Sequence, residues 1–370
     1  MSKTLRALGL MSGTSLDGID VALIETDGEG VVQRAPSATF AYDGEQQSML
    51  RQALHDALEI KKRSDRPANL HQVEAALTQW HAKVVESFLQ QNGLRDSNID
   101  VIGFHGQTIL HRPEQRLTVQ LGDGAALATA TKIPVVYDMR AADVAAGGQG
   151  APLVPIYHAA LAPTRPCAFV NIGGVGNVTF IGSGGGLLAF DTGPGNALIN
   201  DWMMEHKGLA YDEGGKVCSS GHVSKAHLDV ALAHSFFTQT PPKSLDRNSF
   251  SKLNFSDLSF EDGAATLAAF TAHSIAASAK WFGETPKQWI ICGGGRHNAA
   301  IMHGLAALLP NITSAEAIVL NGDSMEAEAW AYLAVRSLKG LPLTFPGTTG
   351  VKTAITGGII AKPQTELGLK

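Results

Sequence analysis

Six of the eight positions from Gly13 to Asp20 are glycine or polar, and apolar runs flank them on both sides. Leu5–Leu10 and Val21–Ile24 read as strands, so the polar stretch is a tight turn between them. Successive N–H groups in such a turn can face phosphate oxygens, and the Asp20 carboxylate can hold a metal ion through water. Gly13 and Gly18 have the glycine spacing of a Walker A loop, but Ile19-Asp20 stands where that loop needs Lys-Ser or Lys-Thr. The sequence therefore predicts a phosphate site without the P-loop lysine, on a hairpin and not at a helix start. Gly13, Thr14, Ser15, Leu16, Asp17, Gly18, Ile19 and Asp20 are its candidates. An ordinary turn needs only about two such residues.

A carboxylate at a strand end is held in place by the strand. Asp191, followed by Thr192-Gly193-Pro194-Gly195-Asn196, is thus the candidate general base. Gly193 and Gly195 would let a phosphate approach the backbone. Asn171-Ile172-Gly173-Gly174-Val175-Gly176-Asn177 reads as a second tight hairpin. Thr179 occupies the last glycine position of a G-x-G-x-x-G register, which argues against a dinucleotide site. Gly173, Gly174 and Asn177 are placed near phosphate instead. Gly293, Gly294 and Gly295 strip side chains from a strand-to-helix turn, a surface on which a flat adenine ring could lie. His105-Gly106-Gln107-Thr108 and Asp138–Asp143 offer the donors and acceptors a sugar needs. His105, Thr108, Arg140 and Asp143 are the candidates there, Arg140 suiting two-pronged contact with a carboxylate. His105 and His111 lack metal-ligand spacing. Glu326 and Glu328 begin a helix, where the macrodipole favours carboxylates; they are also candidate substrate contacts.

The elements that must position these groups alternate along the chain. Helical spacing covers Glu45–Ile60 and Leu70–Gln90, and Asp123 caps an Ala-rich helix to about Thr131. Strands are predicted at Val101–Phe104, Leu117–Leu121, Ile133–Tyr137, Ala168–Ile172, Val178–Ile181, Leu187–Phe190, Trp289–Cys292 and Ala317–Leu320. Further helices are predicted at Pro152–Leu161, Ala197–Glu205, Lys225–Phe237, Asp262–Phe282 and from Ser324 to about Arg336. A strand followed by glycine and a carboxylate recurs near residues 13 and 193. Two similar lobes of mixed sheet flanked by helices are the economical architecture.

The chain has 370 residues, enough for two domains. Its net charge of −5 gives no general attraction to nucleic acid or to membrane phosphates. Cys167, Cys218 and Cys292 form no C-x-x-C pair, so neither zinc nor a disulfide framework is expected. No signal peptide or membrane span is read, which makes the cytoplasm the default location.

Taken in order, these segments resemble the anhydro-N-acetylmuramic acid kinase family. They are GLMSGTSLDGID, FHGQT, DMRAADVAAGGQGAPLVP, NIGGVGNVT, DTGPGN, GGGRHN and NGDSMEA, from residue 9 to about 337. The resemblance implies an α/β, two-lobed actin-like ATPase (ribonuclease H-like) fold with a central nucleotide cleft. It implies residues 1–145 as a first lobe, 146–340 as a second and 341–370 as a C-terminal segment returning to the first. It further implies ATP with Mg2+, Asp191 as catalytic aspartate, Gly13–Asp20 as an ATP-binding segment, a small-molecule sugar substrate and a homodimer.

Overall fold

The computed structural model describes residues 3–245 and 247–364; residues 365–370 of the expected C-terminal segment lie outside that range. In chain order the strands are β1 (Leu5–Ser12), β2 (Gly18–Thr26), β3 (Val32–Ala41), β4 (Val101–Arg112), β5 (Leu117–Leu121), β6 (Val135–Tyr137), β7 (Cys167–Ile172), β8 (Val175–Ile181), β9 (Leu187–Pro194), β10 (Gln288–Cys292), β11 (Ile312–Ser314) and β12 (Ile359–Ala361). The helices are α1 (Gly44–Asp56), α2 (Leu70–Gln91), α3 (Gly124–Thr131), α4 (Ala141–Ala145), α5 (Pro155–Leu161), α6 (Ala197–Lys207), α7 (Lys225–Leu232), α8 (Phe260–Ala277), α9 (Ala299–Leu308), α10 (Met325–Leu338) and α11 (Pro346–Thr349).

The chain divides into two compact units. The first runs to Leu161 and resumes at Ser324; the second is Ala162–Asp323. In the first, the sheet order is β12-β6-β4-β1-β2-β3, with β5 also on β4. β1, β2 and β3 form an antiparallel meander, and β4 and β6 run parallel to β1. In the second, the order is β11-β10-β7-β8-β9. Here β7, β8 and β9 form the meander, and β10 and β11 run parallel to β7. The two mixed sheets thus share one topology, the duplicated actin-like architecture that the sequence suggests.

Helix α10 rests directly on the first sheet because glycine faces it. A Cβ at Gly9 of β1 would stand 1.7 Å from the Ala327 carbonyl oxygen, and one at Gly103 of β4 would stand 2.0 Å from that of Trp330. No real packing tolerates such distances, so a Gly9→Ala protein must push α10 off the sheet. It is expected to lose about 1–3 kcal/mol of stability, read as a lowered midpoint in urea. In the second unit α8 is the central helix, with Ser259 capping its start by accepting from Asp262 N at 3.1 Å. Its Phe270 and Ile275 join Trp289 of β10 and Ile301 of α9 in one core.

Several elements depart from expectation. β3 escapes prediction because it carries Pro36 and is largely exposed, which only an edge strand tolerates. The edge strand β12 is equally silent. The strand predicted at 317–320 lies instead at β11, and Glu316–Ile318 is a 3-10 turn whose next residue, Val319, is 84% exposed. α5 begins at Pro155, not Pro152. His105–Thr108 and Asp191–Pro194 are not loops after strands but lie within β4 and β9. The first unit also claims residues 146–161 and 324–340, assigned by sequence to a second lobe. Packing decides this: α10 covers β1 and β4, and Tyr157 of α5 donates to Glu328 of α10 at 2.7 Å.

Candidate active site

The polar turn joins β1 to β2 as a hairpin. A buried network supports it from behind: Ser12 Oγ lies 2.8 Å from Tyr42 Oη and donates to Gln107 Oε1 at 2.5 Å. Gln107 Nε2 in turn donates to the Gly13 carbonyl at 3.2 Å, and Tyr42 N to that of Asp17 at 3.0 Å. Ser12 and Gln107 lie inside the GLMSGTSLDGID and FHGQT motifs, but only the fold pairs them, and Tyr42 belongs to no motif. Burial pushes the Tyr42 phenol up to about 12, which keeps it a neutral hydrogen-bonding post. Thr14, Ser15 and Asp17 are exposed at the tip, whereas the Leu16 and Ile19 side chains are in the core. Those two can offer a ligand only backbone, not side chains.

The equivalent of this turn in the second unit is not the region near 193 but the β7–β8 turn at Gly173-Gly174. Asp20 and Asn177 then match as the third residues of β2 and β8. Each faces a polar partner on the next strand. Asp20 pairs with Thr39, whose hydroxyl donates to Asp20 Oδ1 at 2.6 Å, and Asn177 pairs with Asp191. Asn171 pairs with Asn177 from the other side, so Asn171, Asn177 and Asp191 form a half-buried row across three strands. The sequence shows each residue but not the register that aligns them.

Asp191 is held by the segment that follows Pro241-Pro242. Leu245 N donates to its Oδ2 at 2.7 Å, and its own N–H donates to the Lys243 carbonyl at 3.0 Å. Burial raises its carboxyl to about 6, with the Leu245 N–H and the Lys243 charge opposing. A carboxylate so tuned is mostly ionised at neutral pH yet basic enough to take a proton. Lys243 is itself pushed down to about 8 by burial and by Lys280, with Asp191 opposing. Its Nζ donates to the Phe236 carbonyl at 2.8 Å and sits 4.2 Å from the Phe236 ring centroid. Nothing in the periodicity around Lys243 signals this.

The candidate glycines fall into two classes. A Cβ at Gly18 would stand 2.4 Å from Phe40 O, at Gly193 2.6 Å from Ser274, at Gly195 2.2 Å from Gly173 O and at Gly295 2.2 Å from Ile172. Gly293 combines a φ of 74° with a Cβ site 2.3 Å from Asn171 Oδ1. Packing alone explains these five. A Cβ at Gly13, Gly173, Gly174 or Gly294 would meet nothing closer than 3.5 Å, and none of the four has a positive φ. The fold does not require glycine there, and the missing side chains leave the backbone open to close approach. Gly294 borders a cavity of about 490 Å3 whose wall includes Asn196, Tyr211, Glu213, His297 and Asn298. Tyr211 is 62% exposed and available to stack on a planar ring.

The candidate sugar contacts separate just as sharply. Glu328 is buried and saturated: it accepts from Arg34 Nε at 2.9 Å and Nη2 at 2.7 Å, from Tyr157 Oη at 2.7 Å and from Ser324 Oγ at 2.9 Å. It is a structural anchor, not a substrate contact. Glu326 is exposed on the first turn of the same helix. Although its side chain reaches solvent, desolvation by the surrounding protein raises the Glu326 carboxyl, with Arg140 opposing and Asp20 adding. Asp143, 1% exposed, accepts from Gly150 N and Thr349 Oγ1, each at 2.6 Å, and is likewise structural. His105, 3% exposed, has both ring nitrogens turned to protein. Thr108 and Arg140 are only half-buried.

Among the described residues no group of three or more His, Cys, Asp or Glu is arranged to hold a metal ion. Mg2+ needs no such cage, since it keeps several waters and binds through one or two carboxylates and phosphate oxygens. Asp20, half-buried on β2, and Glu326, exposed at the start of α10, each offer a carboxylate for that mode.

Comparison with known proteins agrees with these motifs. Residues 5–363 match the family described as anhydro-N-acetylmuramic acid kinase. The chain is 52% identical to the protein of that name from Methylorubrum extorquens, covering 97% of this chain and 99% of the relative. It is 49% identical to that from Agrobacterium fabrum, covering 98% and 100%. Among solved structures, the activator of the 2-hydroxyisocaproyl-CoA dehydratase from Clostridium difficile is similar at 14% identity and a TM-score of 0.46, covering 91% of this chain and 96% of that one. So distant a likeness adds nothing to the topology described above. No described helix is long and apolar enough to cross a membrane. The chain belongs to the anhydro-N-acetylmuramic acid kinase family.

Proposed function

We propose that the protein uses ATP to open the bridge of 1,6-anhydro-N-acetylmuramic acid by hydrolysis and to phosphorylate O6. The products are N-acetylmuramic acid 6-phosphate and ADP, in peptidoglycan recycling and amino-sugar catabolism. The observation that carries the reading is Asp191: a half-buried carboxylate near pKa 6, fixed by Leu245 and aligned with Asn177 beside the open turn at Gly173-Gly174.

In an ordinary sugar kinase a base removes the proton of the attacking hydroxyl. O6 of this substrate is tied to C1 and has none. Asp191 therefore takes a proton from water, whose oxygen attacks C1. The C1–O6 bond breaks and its electron pair goes to O6, which attacks the γ-phosphorus as ADP leaves. Asp191 then returns the proton to solvent. Backbone N–H groups at Gly13–Asp17 and Gly173-Gly174 stabilise phosphate charge. Gly294 and Tyr211 take the adenine, while Arg140 and Thr108 contact the sugar and Arg140 its carboxylate. Mg2+, when bound, supplies charge neutralisation on the triphosphate, and Asp20 and Glu326 are the residues that would hold its water shell. We place the protein in the cytoplasm as a homodimer without nucleic-acid or membrane partners.

Turnover in oxygen-18 water tests the chemistry. The label is expected at C1 of the phosphorylated sugar in early samples, whereas a kinase acting on a preexisting hydroxyl leaves C1 unlabelled. A protein that closes on ATP without transfer releases no sugar-dependent ADP.

Two further results are expected. Below about pH 6, kcat/KM should fall roughly tenfold per unit as Asp191 is protonated, measured from pH 5 to 8. Gly13→Ala should keep its melting temperature but raise KM for ATP severalfold. Gly195→Ala, by contrast, should lose about 1–3 kcal/mol of stability.

A further inference from the structure

Arg140 is an unusual cation. Among the described residues no carboxylate lies within ion-pairing distance of it, although Glu326 and Asp143 are near enough to favour its charge. Its supports are neutral instead. Nη1 donates to the Gly150 carbonyl at 2.9 Å, Nη2 lies 3.3 Å from His105 Nε2, and Cζ stands 5.4 Å from the Trp330 ring centroid. The His105 ring meets the same Trp330 edge-on at 4.8 Å. Nε of Arg140 is buried with no partner. The guanidinium is thus held in place with no carboxylate paired to it, which suits it to an incoming anion.

The tautomer of His105 follows from its neighbours. Nδ1 lies 2.7 Å from the Gly106 carbonyl, which can only accept, so Nδ1 carries the hydrogen. Nε2 therefore has the lone pair, and the Arg140 N–H, which can only donate, points at it. We propose that His105 is a positioning residue: a neutral acceptor that orients Arg140 for the substrate carboxylate without competing for its charge. A carboxylate in the same place would hold the guanidinium more tightly but would neutralise it. The charged and titratable groups that face His105 are Arg140 and His81, neither of which favours its protonation. Burial, ahead of these, pushes the imidazole down to about 3. The other support is equally fixed, since Gly150 is tied to Asp143 and Asp143 to Thr349.

The proposal rests on the reading of Arg140 given above, and the two are tested together. The measured quantity is the ratio of kcat/KM for 1,6-anhydro-N-acetylmuramic acid to that for its carboxamide. Arg140→Met is expected to collapse this ratio; if it does not, the carboxylate contact falls and the proposal with it. His105→Leu is expected to lower the ratio about tenfold, through KM for the acid, with KM for ATP little changed. His105→Gln, which can both donate to Gly106 and accept from Arg140, should restore most of it. If Arg140→Met loses the ratio but His105→Leu keeps it, the positioning role alone is overturned. A uniform loss with both substrates and a lowered melting temperature means a merely structural residue and overturns it too. Should His105→Leu not fold, the nitrogen-15 spectrum of the wild-type imidazole decides. A hydrogen on Nδ1 and a bare Nε2 down to pH 5 support the proposal, and a hydrogen on Nε2 overturns it.

Discussion

Asp191→Asn is expected to lower kcat by about two to four orders of magnitude, the size of effect that removal of a general base produces. Asparagine keeps the shape and can still accept from Leu245 N, so the strap over β9 has no reason to move. What vanishes is the ability to take a proton from water. The same substitution should not weaken the fold. The folded carboxyl sits near 6, above its unfolded value of 3.8, so the folded chain holds this proton more tightly than the unfolded chain does. Stability from this site is therefore greatest below about pH 4 and declines as pH rises through about 6. At pH 8 the ionised group opposes folding by up to about 3 kcal/mol, and asparagine relieves that opposition. An inactive variant that melts at the same temperature or higher, in kinetics and calorimetry at pH 8, is the expected pair of results. Near wild-type turnover would remove Asp191 from the chemistry.

The two glutamates of α10 should give opposite results. Glu328→Ala removes the acceptor shared by Arg34, Tyr157 and Ser324, and the loss of one partner from a buried charged network costs about 3–5 kcal/mol. Glu328 ties β3 and α5 to α10 within the first unit, so the loss should appear as one cooperative shift in urea, with activity per folded molecule little altered. Glu326→Gln should leave that midpoint within about 0.5 kcal/mol, as expected of an exposed helix position. It should instead lower turnover and raise the Mg2+ requirement. Equal stability in both variants would contradict the division of roles.

Much of the candidate site was legible because its residues are short-range signals. A turn between apolar runs, a carboxylate on a strand and a glycine triplet before a helix are local patterns, and β1, β7 and β10 lie close to where those patterns put them, whereas β2 and β8 begin earlier and β9 runs on through Asp191–Pro194. The motifs that ran together in sequence also resemble one family over nearly the whole chain. What local pattern could not supply was orientation. Glu326 and Glu328 stand two residues apart on one helix, and 3.6 residues per turn sends one outward and the other into the core. His105 and Arg140 belong to separate motifs with similar polar composition, yet the first is buried as a support and the second is left half-buried.

The amino-acid sequence by itself determined the family, the strand and helix content around the motifs, and which few residue types could do the chemistry, since each depends on neighbours along the chain. Only the tertiary structure decided which glycines serve packing and which leave room for a ligand, that Gly9 and Gly103 seat α10, and that Asn171, Asn177 and Asp191 stand in one row. Those outcomes depend on strand register and on backbones that approach from far away in sequence. A Cβ meets an oxygen 318 positions later, at Ala327, only after the chain has folded.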